Sequence, residues 1–219
     1  MPHWRSRIIS GALYAAIASW LMPGAALGAP GDIEVETPVA EPGAAAPAVP
    51  SVNGEFTLPE GELAGNAVVY RDLSRLPAPV AAKRESLMAA AATGDVEALR
   101  PILAAQENPP TVSFGGTEDP IEYLRFSSTD GEGRELLGIM LELLEAPFAV
   151  LDEGTEDEIF VWPYLAAVPL EDLSPPELVE LYKLVSHHDY EDMLNFGGWY
   201  FFRVGILANG EWAFFVAGD

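Results

Sequence analysis

The chain has 219 residues and a net charge of -23, from 34 acidic and 11 basic side chains. Such a surface repels nucleic acid and anionic lipid, because phosphate recognition needs clustered Lys and Arg. There is no cysteine, which excludes disulfides, thiolate metal sites, a cysteine nucleophile and a lipidated cysteine anchor. The charge leaves cations, basic proteins and small ligands in a shielded pocket as partners, and is otherwise a source of solubility.

The first thirty residues, MPHWRSRIISGALYAAIASWLMPGAALGAP, have the three parts of a secretory leader. Arg5 and Arg7 precede an apolar run at 8–22, Pro23 and Gly24 break it, and Ala-Leu-Gly offers small residues for cleavage after Gly28. The run is shorter than the ~20 residues that a spanning helix needs. The expected mature chain is exported and does not span a membrane. Residues 29–66 are rich in Ala, Pro and acidic residues and hold no Lys or Arg. They read as a disordered tether that acts as a spacer, because they cannot bury enough apolar surface to offset ordering entropy. A single α+β domain is expected over 67–219.

Within that domain a helix is expected at about 78–92, with Val80, Leu87, Met88 and Ala91 on one face. Gly94 stops it and Asp95 caps a second helix, which Pro101 should kink or shorten. The stretch NPPTVSFGG reads as a turn, a short strand and a break, and TEDPIEYLRF as a capped helix with Pro at its first position. DGEGRELLGIMLELLEAP carries the strongest helical stripe, Leu136, Leu137, Met140, Leu141 and Leu144. A hairpin comes next, with arms near 148–152 and 158–162 and an acidic turn. Ser174 and Glu177 make a capping box for a helix burying Leu178, Leu181, Tyr182 and Val185, and a shorter helix at 189–196 ends on Gly197 and Gly198. The last hairpin turns at Asn209-Gly210, expected as a two-residue type I′ turn. That register sets Leu207 against Trp212, Gly205 against Phe214 and Arg203 against Val216.

The helix pair in LMAAAATGDVEALRPILAA (87–105) suits either an ankyrin unit or the start of an α+β fold. After the pair come a Pro-Pro turn, a strand, more helix and two hairpins, which is an α+β order. The residues ATGDVEALRPIL, TEDPIEYLRF and ANGEWAFFVAGD resemble the nuclear transport factor two-like cone, the fold of ketosteroid isomerase and polyketide cyclases. That resemblance covers about 78–219 and implies N-terminal helices packed on a curved antiparallel sheet. The sheet would be built from two hairpins, and an extra helical insertion at 174–196 departs from the usual cone. VWPY, LVELYKLV and the terminal FFVAGD also resemble a group of exported proteins of Gram-negative bacteria, which implies a periplasmic or secreted location.

No Walker loop, nucleophile elbow or dinucleotide-binding glycine pattern is present. His187 and His188 are adjacent, so they diverge by about 100° on a helix and lack the i, i+4 spacing of a helical metal site. The acidic DEGTEDE turn (152–158) lacks the alternating oxygen ligands of a calcium loop. STDGEGRE (128–135) reads as a helix cap. No catalytic residue, metal or cofactor is assigned. The aromatic residues of the hairpins serve as core, as a pocket lining or as a dimer face formed through the sheet. Arg203 is the single charge in WYFFRVGIL. It needs a carboxylate, with Asp219, Asp152 and Glu158 as options, or an exposed head, or an anionic ligand, for which Gly205 would leave room. Candidate ligand contacts are Arg203, Trp162, Tyr164, Tyr123 and Trp212.

The function read from the sequence is that of an exported non-enzymatic domain binding a small ligand or a protein partner. The alternatives are a cone-fold enzyme of the isomerase, dehydratase or hydrolase type with an aromatic-lined pocket, and a structural envelope protein. Expressed with its leader in a Gram-negative host, the chain should be recovered from the periplasm with the intact mass of a protein beginning near Ala29. A periplasmic-side product that keeps Arg5 and Arg7 overturns this and favours an anchor.

Overall fold

The two inner strands of the first hairpin, Phe148–Leu151 and Ile159–Trp162, are buried at every position. A strand buried on both faces lies between two layers, and that requirement organises the domain. The computed structural model describes residues 67–218, all within one unit of the chain, 53–219. The leader at 1–28, the tether at 29–66 and Asp219 lie outside the described residues.

Five strands form one antiparallel sheet in the order β1 (Val68–Tyr70), β2 (Phe148–Leu151), β3 (Ile159–Trp162), β4 (Arg203–Leu207) and β5 (Trp212–Val216). β1 has no counterpart among the expected strands, because three residues are too few to show a period. It pairs with β2 through Val68↔Val150 and Tyr70↔Phe148. One face of the sheet is covered by α1 (Ala78–Ala91), α3 (Pro120–Ser127) and α4 (Arg134–Glu145). Phe148, Phe160, Trp162, Ile206 and Phe215 meet Leu87, Met140 and Leu144 there. The other face is covered by the 164–196 segment, which carries 3-10 turns and the helices α5 (Pro175–Leu181) and α6 (His187–Phe196). Val161, Phe214 and Val216 meet Tyr164, Leu181, Met193 and Trp199 there. The short helix between α1 and α3 is α2 (Arg100–Ala104).

The α+β class holds, but the curved, cone-like sheet does not. The sheet is open, its edges β1 and β5 are not joined, and it neither curls nor closes. A cone needs a concave face left free to enclose a cavity. Here the helical insertion expected at 174–196, with the turns before it and the loop after it, packs Leu165, Leu181, Met193 and Trp199 into that space. The insertion is therefore a third layer and not an appendage. The sheet faces that a dimer would use are occupied by the chain's own helices. The outer edge of β5 is partly covered too. Thr111 N–H donates to Ala213 O at 2.9 Å, and Phe215 N–H donates to Thr111 O at 2.9 Å. This one bridge is what becomes of the short strand expected in NPPTVSFGG.

The local signals mostly operate as expected. Asp95 accepts from Glu97 N–H at 3.0 Å and opens a 3-10 turn, Val96–Leu99, which passes into α2 at Arg100-Pro101. Proline lacks the N–H that would continue a regular helix from Val96, so the segment is split at Arg100, and α2 runs only to Ala104. Asp119 caps α3 with Pro120 at its start. In α4 the buried stripe is Leu136, Leu137, Met140, Leu143 and Leu144, with Leu141 only half-buried, a turn of the face by one residue. α6 begins two residues earlier than expected, since Ser186 and Asp189 form a second capping box. Tyr182 lies just past the end of α5 and is 44% exposed, so it does not join Leu181 and Val185 in the core.

The last hairpin corrects its expected register at one point. Asn209 does not take the positive φ that a type I′ turn requires, whereas Gly210 does, at φ 89°. Gly210 N–H donates to Leu207 O at 2.8 Å and Leu207 N–H donates to Glu211 O at 2.9 Å, so the loop has three residues. Ile206 then faces Trp212, and a β-bulge with Ala213 as the extra residue restores Gly205↔Phe214, Val204↔Phe215 and Arg203↔Val216. Trp212 moves to the α1/α4 face, while Phe214 stays on the other.

Gly205 leaves room for Phe214 and not for a ligand. A Cβ at Gly205 would lie 2.3 Å from the Phe214 ring, which is only 1% exposed. Gly205→Ala should therefore destabilise the domain by ~1–3 kcal/mol through overpacking, with Phe214→Leu recovering part of the loss. Urea unfolding of the two variants and their double mutant checks this, and additive effects would mean that the residues do not share the space.

Candidate functional site

Two prolines build the mouth of a cleft. Pro147 lies between α4 and β2, and Pro163 comes directly after β3. Neither can donate to a ladder, so both strands stop at the same end of the sheet. Tyr164 N–H donates to Pro147 O at 3.0 Å and so holds the turn after β3 against the start of β2. The cleft is about 460 Å³ and runs between the C-terminal turn of α4 and the last turn of α5. Glu142, Glu145, Glu180, Lys183, Tyr164 and Leu184 form most of its wall.

Tyr164 joins this cleft to a charged cluster at its rim. The phenol donates to Glu180 Oε2 at 2.7 Å. Arg71, one residue past β1, places its guanidinium 5.1 Å from the Tyr164 ring centroid. It also reaches Glu177 Oε1 at 3.1 Å and Glu180 Oε1 at 3.3 Å. Glu177 and Glu180 share a face of α5 because they are three residues apart. Glu177 divides its oxygens: Oε2 accepts from Ser174 N–H and Oγ–H in the capping box, which leaves Oε1 to Arg71. Ser174's hydrogen bonds, and after them Arg71, hold the Glu177 carboxyl below its usual range. Burial, and then the Glu180 carboxylate, push the Tyr164 phenol up, so it stays a donor at neutral pH. The hydrogen bond from the Arg71 guanidinium to Glu180 pushes that guanidinium further up from an already high value.

The five candidate contacts do not converge. Trp162, Trp212 and the half-buried Tyr123 belong to the α1/α4 core, and Tyr164 faces the opposite layer. Trp212 Nε1–H donates to Phe214 O at 2.9 Å, whereas the buried Trp162 Nε1–H has no hydrogen-bond partner among the described residues. Arg203 is 5% exposed at the start of β4. Its Nη1 donates to Trp199 O at 3.5 Å and its guanidinium lies 6.0 Å from the Phe114 ring. Asp152 and Glu158 are not its partners. Ile159 pairs with Leu207 at the far end of β4, about 13 Å from Arg203 at the rise of a strand. Glu158 accepts from Gly154 N–H instead.

The histidines also have local roles. His187 contacts the Tyr182 hydroxyl at 3.1 Å, and His187 and His188 approach Glu191 and Asp192 at i, i+4. Among the described residues no cluster of three or more His, Asp or Glu side chains is arranged to hold a metal ion.

Family models, curated proteins and solved structures give no match to this chain.

Sequence reasoning reached Tyr164 and the Ser174–Glu177 cap but missed Arg71, Glu180, Glu142, Glu145 and Lys183. The i, i+3 glutamates of α5 were a usable signal. Arg71 gave none, because its carboxylates are 106 and 109 residues away in sequence.

Glu177, Asp189 and Glu97 all have carboxyls lowered by hydrogen bonds in the fold, from Ser174, Ser186 and Arg100 respectively as the leading causes. A lowered carboxyl contributes stability above its ordinary value and loses it as pH falls through the folded value. The melting temperature should thus hold steady down to the ordinary Glu value of 4.5 and fall below it. Glu177→Gln should flatten part of that fall in a pH series of thermal melts. An unchanged slope would mean that the cap and the Arg71 pair do not distinguish folded from unfolded chain.

Proposed function

We propose that this is an exported protein that works outside the cytoplasm by binding, and that its site is the cleft beside Tyr164. Among the described residues no helix is long and apolar enough to cross a membrane, and the leader pattern at 1–28 supports export. The observation that carries the binding reading is the cleft. It combines about 460 Å³ of space with polar groups of both signs and an apolar wall from Leu165 and Leu184. Sites of that composition orient a small polar ligand or one segment of a protein partner.

The test fills the cleft. Ala146 lies in its wall, half-buried after the end of α4. Ala146→Trp should leave the circular dichroism spectrum unchanged. Free amino acids, dipeptides and polyamines at millimolar concentration would be screened by thermal shift against the full mature chain. A stabilising probe should lose its effect in Ala146→Trp. If no probe stabilises the wild type, or if the effect survives in the variant, the cleft is not the binding site.

A further inference from the structure

The rim cluster already holds a guanidinium group. Arg71 lies over an aromatic ring, faces two carboxylates, and has the Tyr164 hydroxyl at 3.4 Å from its Nη2. Planar guanidinium groups are recognised by this combination of an aromatic shelf and paired carboxylates. Three features set it apart from an ordinary surface ion pair. Tyr164, the shelf, is 1% exposed and fixed by its own backbone hydrogen bond to Pro147, so it does not depend on Arg71 for its place. Glu177 and Glu180 are likewise held by the capping box and by the Tyr164 hydroxyl. Arg71 is the loose member, with its side chain 50% exposed against 28% and 26% for the glutamates. A half-exposed guanidinium keeps much of its hydration in the folded chain, so another cation of the same shape can take its place without uncovering the core.

The same groups open onto the cleft. Tyr164 and Glu180 belong to both the rim cluster and the cleft wall, and Glu142 and Glu145 stand further along. An incoming arginine that displaced Arg71 would have a second pair of carboxylates within the same cavity for a neighbouring basic group. The net charge of -23 favours approach of a basic chain.

We propose that the Tyr164–Glu177–Glu180 cradle is an arginine-recognition site for a basic peptide segment, and that Arg71 occupies it in cis until such a segment displaces it. This rests on the cleft being the binding site and names its ligand class. Lysine fits less well, because an ammonium group cannot lie flat on the ring while bridging two carboxylates. Binding should weaken as salt rises, since the rim charges are partly exposed.

The experiment uses the full mature chain and the peptide acetyl-Arg-Gly-Arg-amide, with acetyl-Lys-Gly-Lys-amide as control. In the wild type, the arginine peptide should move the Arg71 Nε–Hε NMR signal towards its free-chain position. The lysine peptide should move it much less. Arg71→Ala and Arg71→Lys should each bind the arginine peptide more tightly than the wild type, by about tenfold for the alanine variant, because the competitor is gone or poorer. Adding Glu180→Gln to either variant should remove the gain. The lysine variant keeps the charge, so it still gives a result if the alanine variant does not fold. The proposal is overturned if the wild type does not bind the arginine peptide, if binding leaves the Arg71 signal in place, or if neither variant gains affinity. If other probes bind in the cleft and are blocked by Ala146→Trp while this peptide fails, the cleft reading survives and the arginine site does not.

Discussion

One extra residue, Ala213, lets the last strand serve two cores. A regular strand alternates its faces, so Trp212 and Phe214 would point the same way. The bulge between Ile206↔Trp212 and Gly205↔Phe214 breaks that alternation. Trp212 then fills the core under α1 and α4, and Phe214 fills the one under α5 and α6. Gln106 secures the bulged segment: its Oε1 accepts from Trp212 N–H at 3.2 Å and its Nε2 donates to Trp212 O at 3.0 Å. Thr111 secures the next residue through Ala213 O. Backbone groups that lose ladder partners at a bulge are thereby satisfied by one side chain and one loop. Gly205 completes the arrangement, since only a residue without Cβ lets the Phe214 ring lie across β4.

The second core is what turns the sheet into a middle layer. Its helices are short, and they are positioned by caps: Ser174 with Glu177 for α5 and Ser186 with Asp189 for α6. Such boxes satisfy orphan N–H groups at a helix start and fix where it begins. The cap of α5 also decides the chemistry of the cleft rim. It fixes Glu177 with one oxygen to spare, and one turn later Glu180 meets Tyr164. Helix initiation and the Arg71 ion pair therefore share a single carboxylate.

Burial explains why Arg203 and Tyr164 have different prospects. Both are polar groups in an apolar layer, and both were candidate ligand contacts. Arg203 is enclosed beside Trp199 and Phe114, next to a glycine whose space Phe214 has taken. Tyr164 is equally buried in its ring, but its hydroxyl reaches the boundary between core and cleft. A buried residue can act on a ligand only where its polar end meets a cavity, and Tyr164 has that position.

Much of the local structure is legible in the residues themselves. Asp95, Asp119, Ser174 and Gly197 are punctuation whose chemistry acts on the nearest backbone, so α1, the starts of α3 and α5, the end of α6 and the first hairpin could be read within a residue or two, whereas α5 stops at Leu181, short of the Val185 expected in it. The pairing of β4 with β5 at Gly205, Val204 and Arg203 was legible as well. Three things were decided only by tertiary structure. The three-residue loop at Ala208–Gly210 and its compensating bulge depend on which face each aromatic ring must fill, and a turn motif alone does not carry that information. The open sheet replaced the expected cone because the insertion lies flat on the second face, a matter of packing that the order of elements leaves undetermined. The cleft rim joins Arg71 to residues more than a hundred positions away. Helix caps and turns are short-range interactions and leave a local pattern, whereas a long-range ion pair over a ring leaves none.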